Sequence, residues 1–68
     1  MSEMTESEII AFMKVLKIMR LRDEAVLFIT ASMEDNSDKA DKMIAYIKEN
    51  PNATETDLLK KTQEICKL

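Results

Sequence analysis

The 68-residue chain contains no glycine, no histidine and no tryptophan, and it has one proline and one cysteine. The absence of glycine excludes a glycine-rich loop that could cradle a phosphate, and the absence of histidine removes the commonest general base and metal ligand. One cysteine can form neither an internal disulfide nor a multi-thiolate zinc site. No apolar run approaches the 18 or more residues of a membrane span. We therefore expect no enzyme: no catalytic residue, cofactor, bound metal, small-molecule substrate or membrane partner.

The composition that remains is typical of a small folded domain. The chain is 46% hydrophobic and 34% charged, which is too apolar for a disordered tail. We expect a single domain over residues 1–68, with residues 1–4 frayed. A chain of this length buries only roughly 60% of the surface that its unfolded form exposes, so any additional burial would matter for stability.

The cellular compartment is predicted from both ends of the chain. Residues 1–8 are acidic and do not form the basic, then apolar, start of an export signal. Cys66 is the single cysteine, and an unpaired thiol fits a reducing compartment. Both features predict a cytoplasmic protein.

Apolar periodicity predicts an all-α bundle of four short helices, at about 6–21, 23–34, 38–49 and 55–67. Each helix has a candidate capping residue near its start. These candidates are Thr5 with Glu8, then Asp23, then Asp35 or Ser37, and finally Thr54 with Asp57. The run at 25–33 would also suit a short strand, but no second strand is available to pair with it.

The predicted helix ends depend on asparagine and proline, because glycine is missing. The third helix should stop at Asn50, since the residue before Pro51 is pushed out of the helical region. Asn36, Asn50 and Asn52 are the residues best able to take a left-handed conformation. The pattern leaves open whether the first two helices are continuous.

The first predicted helix has more apolar residues than docking on a core requires. Of the 13 positions from 9 to 21, all but Lys14, Lys17 and Arg20 are apolar. Docking over about 3.6 turns needs only roughly six or seven apolar positions. Ile10, Ile18 and Leu21 fall outside the main stripe and are the candidate interface residues. A second copy of the chain is the simplest partner; the alternative is a monomer in which this helix is central.

The charge pattern supports nucleic-acid binding only weakly. Lys14, Lys17, Arg20 and Arg22 form a basic run that could contact phosphates. No aromatic residues are interleaved with these bases, and 13 acids against 10 bases give a net charge of −3. Asp35, Asp38 and Asp41 lack the central glycine of a calcium loop and are interpreted as a solvated helix start.

One segment has a local family resemblance. Residues 43–58, MIAYIKENPNATETDL, resemble the entry into a winged helix-turn-helix domain, in which an Asn-Pro-type turn leads to a Thr-capped second helix. In that family a third helix reads the major groove. No such helix follows in these 68 residues, so the resemblance carries over no DNA contact.

The sequence thus predicts a small non-enzymatic interaction or regulatory module that self-associates through its first helix. Two alternatives remain: a nucleic-acid-binding regulator that uses the four bases, and an acidic inhibitor from a phage or mobile element. Such an inhibitor would occupy the nucleic-acid groove of a partner protein.

Overall fold

A computed structural model describes residues 3–67 and contains the four predicted helices. They are α1 (Glu6–Ile18), α2 (Asp23–Met33), α3 (Ser37–Glu49) and α4 (Glu55–Cys66). No strand occurs in residues 3–67, so the all-α class is confirmed and the strand interpretation of residues 25–33 is wrong. In this range, no helix has the length and apolar character that crossing a bilayer requires.

The central element is α2, which packs against each of the other three helices, as α3 also does. It contributes more buried residues than any other helix: Ala25, Val26, Ile29, Thr30 and Met33. Phe12 and Leu16 pack onto the same core from α1, as do Met43 from α3 and Leu58 from α4. The backbones of α1 and α4 do not approach each other. Because α1 lies at the edge of the bundle, the alternative in which the first helix is central is wrong.

The first helix ends at Ile18, three residues before its predicted end. The amides of Met19 and Arg20 donate to the carbonyls of Leu16 and Lys17 at 3.1 and 3.0 Å, which tightens the last turn. Arg20 then adopts a left-handed conformation with φ of 60°. This turn separates α1 from α2, so the two helices are not continuous. The expectation that asparagines would take the left-handed positions is also wrong, because Arg20 and Lys67 hold them among the described residues.

Two predicted capping boxes are confirmed. At the start of α1, the Thr5 amide donates to Glu8 Oε1 at 3.1 Å and the Glu8 amide donates to Thr5 Oγ1 at 3.2 Å. Thr54 and Asp57 exchange the corresponding hydrogen bonds at 3.0 and 3.2 Å at the start of α4. Each box satisfies backbone donors that the first helical turn leaves without an intrahelical partner.

The other two predicted caps are each wrong by one position. Asp23 is the first residue of α2, and Arg22 occupies the N-cap position without a side-chain capping bond. Asn36 caps α3, because its Oδ1 accepts from the Asp38 amide at 2.8 Å. Asn36 has extended backbone with φ of −157°, the geometry that suits an N-cap.

The chain before α1 is held against the end of α2. The Met4 amide donates to the Glu34 carbonyl at 3.1 Å, and the Met4 side chain is buried in the core. The expected fraying of residues 1–4 therefore does not extend to Met4. Residues 1 and 2 lie outside the described part of the chain. The hydrogen bond at Met4 places the start of α1 beside the end of α2.

Candidate protein interface

Four large apolar side chains are exposed in the described chain, and all four lie on α1 and α2. They are Ile10 (48% exposed), Ile18 (77%), Leu27 (60%) and Phe28 (44%). We use the name hairpin face for the outer sides of α1 and α2 that carry Ile10, Ile18, Leu27 and Phe28. Single exposed apolar residues are ordinary on a protein surface, whereas four of them confined to one pair of helices mark that pair as a candidate interface.

A shallow groove runs between α1 and α2 at the hairpin face. It has a volume of about 220 Å³, and its apolar lining is Met13, Val26 and Leu27, with Lys17 and Asp23 at its edges. Ile10 lies one helical turn before Met13, so it extends the apolar lining along α1. The groove is open and shallow, which suits a side chain from a partner better than it suits an enclosed small molecule.

The outer side of α1 carries a regular row of residues at four-residue spacing. Glu6, Ile10, Lys14 and Ile18 follow one another along this row, and all four side chains are exposed. The aliphatic stem of Lys14 lies between the two isoleucines and can cover apolar surface while its ammonium stays in water. The row joins Ile10 and Ile18 into one apolar strip with charge along it.

The structure corrects one of the three predicted interface residues. Ile10 and Ile18 are exposed as expected, but Leu21 is only 9% exposed and belongs to the core. An exposed Leu21 would require α1 to continue through it. Because α1 ends at Ile18 and the chain turns at Arg20, Leu21 points inward instead. It is a core residue with no surface to offer a partner.

Sequence reasoning missed Leu27 and Phe28. Five consecutive apolar residues at 25–29 do not by themselves show which of them face outward. Helical spacing supplies the missing signal: Val26, Ile29 and Met33 form the buried stripe. Leu27 lies about 100° around the helix from Val26, and Phe28 lies a further 100° around, so both leave that stripe.

The four predicted bases lie in three places. Lys14 and Lys17 lie on the outer side of α1, and Lys17 also lines the groove. Arg20 is exposed in the turn, whereas the Arg22 guanidinium is held by Glu55, with Nη2 at 2.9 Å from Oε2. Hydrogen bonding to this carboxylate raises the pKa of Arg22. The Arg22 guanidinium therefore lies at the start of α4, apart from Lys14 and Lys17 on α1.

The acidic stretch is explained by helix-end structure. Asp35 forms an ion pair with Lys39 at 3.4 Å, one turn later, and the Asp38 amide is the donor in the cap of α3. Asp41 is exposed on α3. Within residues 3–67, no group of three or more acidic or cysteine side chains is arranged to hold a metal ion.

A second groove, of about 450 Å³, lies between α3 and α4 and has a mixed lining of lysines and glutamates around Tyr46. Lys61 Nζ lies 5.2 Å from the centre of the Tyr46 ring and 3.3 Å from Glu64 Oε1. The ammonium is thus already engaged by two groups of the protein itself. This arrangement explains the lysine without an external anion.

The segment resembling a winged helix-turn-helix domain forms the end of α3, a turn, and the start of α4. The implied turn after Asn50 and the Thr54 cap are both present. Comparisons of the chain with protein-family models, curated proteins and solved structures gave no match.

Proposed function

We propose that the protein is a non-enzymatic interaction module that self-associates through the hairpin face. The observation that carries this proposal is the confinement of all four exposed large apolar side chains of residues 3–67 to α1 and α2. An apolar surface rimmed by charged residues is typical of protein interfaces.

The energetic argument follows from the size of the domain. Fully burying a leucine, isoleucine or phenylalanine side chain contributes roughly 1.5–3 kcal/mol. The four side chains of the hairpin face are between 44% and 77% exposed. A domain of this length has only a few kcal/mol of stability in reserve. Covering the hairpin face by association would stabilise the folded state by mass action.

A second copy of the chain suits this surface because the surface carries both signs of charge. Lys17 and Asp23 border the same groove, and Glu6 and Lys14 lie on the same row of α1. A duplex nucleic acid would require a surplus of bases on the contacting face, since affinity comes from counterion release. A two-fold partner instead supplies the complement of each charge with its own copy of the same residues.

The test is the mass of the protein in solution as a function of concentration. Sedimentation between about ten and several hundred micromolar should show a rise toward twice 7.8 kDa. Leu27→Lys should shift the protein to the monomer, because it places a charge in the apolar face. Gln63→Lys is the matched control, since it adds the same charge on the exposed side of α4.

Circular dichroism of each variant separates lost association from lost folding. Should Leu27→Lys lose its helical signal, Leu27→Ala provides the milder removal of apolar surface. A wild-type mass that stays at the monomer value throughout the concentration range would overturn the proposal.

We also place this module in the cytoplasm. Support comes from Cys66, which is a free and half-buried thiol. Its Sγ donates a hydrogen bond to the Ser32 carbonyl oxygen of the same molecule at 3.6 Å. Because this thiol has a partner inside the fold, the proposed dimer needs no intermolecular disulfide. The mass distribution should accordingly be the same with and without a reducing agent.

A further inference from the structure

The two ends of the α1–α2 pair differ in charge. The start of α1 lies beside the end of α2, because the Met4 amide donates to the Glu34 carbonyl at 3.1 Å. We call this end the acidic end; its exposed carboxylates are Glu3, Glu6, Glu8, Glu34 and Asp35. Of these five, Asp35 pairs with Lys39. The free carbonyls at the end of α2 and the free amides at the start of α1 carry opposite partial charges that offset each other, so the carboxylates set the sign of this end.

The opposite end of the pair carries the bases. We call it the basic end; its exposed cations are Lys14, Lys17 and Arg20. Among the described residues, no carboxylate oxygen lies within 4.0 Å of these three side chains. Asp23 and Glu24 also lie at this end, in the first turn of α2, just as Glu6 and Glu8 lie in the first turn of α1. The helix-terminal amides offset both pairs of carboxylates alike, so the three cations distinguish the basic end.

We infer that two copies pair with their α1 helices antiparallel, so that the acidic end of each meets the basic end of the other. This inference rests on the self-association proposed above and adds its geometry. A two-fold interface places residue i against residue j of the partner, and j against i. Antiparallel pairing brings Glu6 near Lys17 of the partner subunit, and it occurs twice in each dimer.

The parallel alternative is opposed by the same charges. It would place acidic end on acidic end and basic end on basic end, with Glu6 near Glu6 of the partner subunit. Like charges held close together in an interface disfavour that arrangement. The helix dipoles of two α1 helices also favour antiparallel over parallel packing.

Antiparallel pairing also brings apolar side chains together at the two-fold axis. With Glu6 opposite Lys17 of the partner subunit, Ile10 falls opposite Met13 of the partner subunit, near the two-fold axis. Ile10 and Met13 then lie at the centre of the interface, and Glu6 and Lys17 lie toward its rim. Interfaces commonly have this distribution, an apolar core with a polar rim.

Charge reversal tests the orientation. Glu6→Lys and Lys17→Glu should each weaken dimerisation by about tenfold, because two symmetric attractions become repulsions. The double variant Glu6→Lys/Lys17→Glu should restore the wild-type affinity. In a parallel dimer neither single reversal would weaken binding, since one pair of like charges would merely replace another.

Salt provides a second measurement that needs no substitution. Raising the salt concentration from about 0.05 to 0.5 M should weaken an antiparallel dimer and strengthen a parallel one, because screening reduces attraction and repulsion alike. Thr56→Lys is the matched control for adding a lysine to a first helical turn, here in α4. It should leave dimerisation unchanged.

The outcomes separate this inference from the proposed function. A wild-type dimer whose affinity is unaffected by the single reversals, or is not restored in the double variant, overturns the antiparallel geometry and leaves self-association standing. A wild-type protein that is monomeric throughout overturns both.

Discussion

Arg22 and Glu55 join the start of α2 to the start of α4. The Arg22 Nε donates to both carboxylate oxygens of Glu55 at 3.2 and 3.1 Å, and its backbone amide donates to Glu55 Oε1 at 3.0 Å. Arg22 is the N-cap of α2 but makes no capping bond with its own side chain. The carboxylate from a distant helix therefore satisfies a backbone donor just before α2 begins.

Replacing this carboxylate should destabilise the bundle. Glu55→Gln removes the charge from the hydrogen bonds to the guanidinium, and charge-assisted bonds are the stronger kind. We expect a lower melting temperature in thermal unfolding followed by circular dichroism. Glu64→Gln is the matched control, because Glu64 pairs with Lys61 at 3.3 Å but its side chain is 72% exposed. Equal melting temperatures for the two variants would mean that the Arg22–Glu55 link stabilises the fold no more than the exposed Lys61–Glu64 pair does.

Stability should also depend on pH through the two acids at the start of α4. Hydrogen bonds from Arg22 lower the pKa of Glu55 from its ordinary value of 4.5. Bonds from the Thr54 amide and hydroxyl lower the pKa of Asp57 from 3.8. A lowered folded-state pKa stabilises the fold above the unfolded value, and this contribution is lost as the pH falls through the folded value.

The expected result is a melting temperature that is steady near neutral pH and falls below about pH 4.5. Glu55→Gln should flatten this dependence, since one of the two shifted acids is removed. If the variant and the wild type lose stability in parallel on acidification, other carboxylates determine the acid response.

The Thr54 hydroxyl gives a direct test of the cap on α4. Thr54→Ala removes the acceptor for the Asp57 amide, which is held at 3.2 Å. The expected cost is about 0.5–2 kcal/mol of unfolding free energy, measured by urea denaturation. Thr56→Ala, at an exposed position in the same helix, should cost much less. A Thr54→Ala variant as stable as the wild type would show that the hydroxyl does not stabilise the start of α4.

The predictable part of the fold is the part that local chemistry determines. The Thr5 and Thr54 capping boxes follow from side-chain spacing alone, and both helices begin where that spacing places them. The start of α2 was not predictable in the same way. Its stabilising carboxylate comes from Glu55, which lies 33 positions after Arg22 in the sequence, and no local sequence pattern indicates that contact.

The candidate interface was predicted in part for a similar reason. Ile10 and Ile18 lie inside α1, where helical spacing places them off the core stripe. The position of Leu21 depends on where α1 ends, and this depends on a left-handed Arg20 that residue preferences disfavour. Because Arg20 adopts this conformation, Leu21 lies in the core and not on the expected surface.

The contrast between Leu21 and Ile18 yields the last prediction. Leu21→Ala removes a core side chain that is 9% exposed, and large-to-small substitutions in a core cost about 2–5 kcal/mol. Ile18→Ala removes a side chain that is 77% exposed and should change the unfolding free energy of the monomer by less than about 0.5 kcal/mol. Both should be measured by urea denaturation at a protein concentration low enough to exclude association. At high concentration the order of effects on self-association should reverse, with Ile18→Ala weakening the dimer. A Leu21→Ala variant as stable as the wild type would contradict the core position of Leu21 and make it a candidate interface residue again.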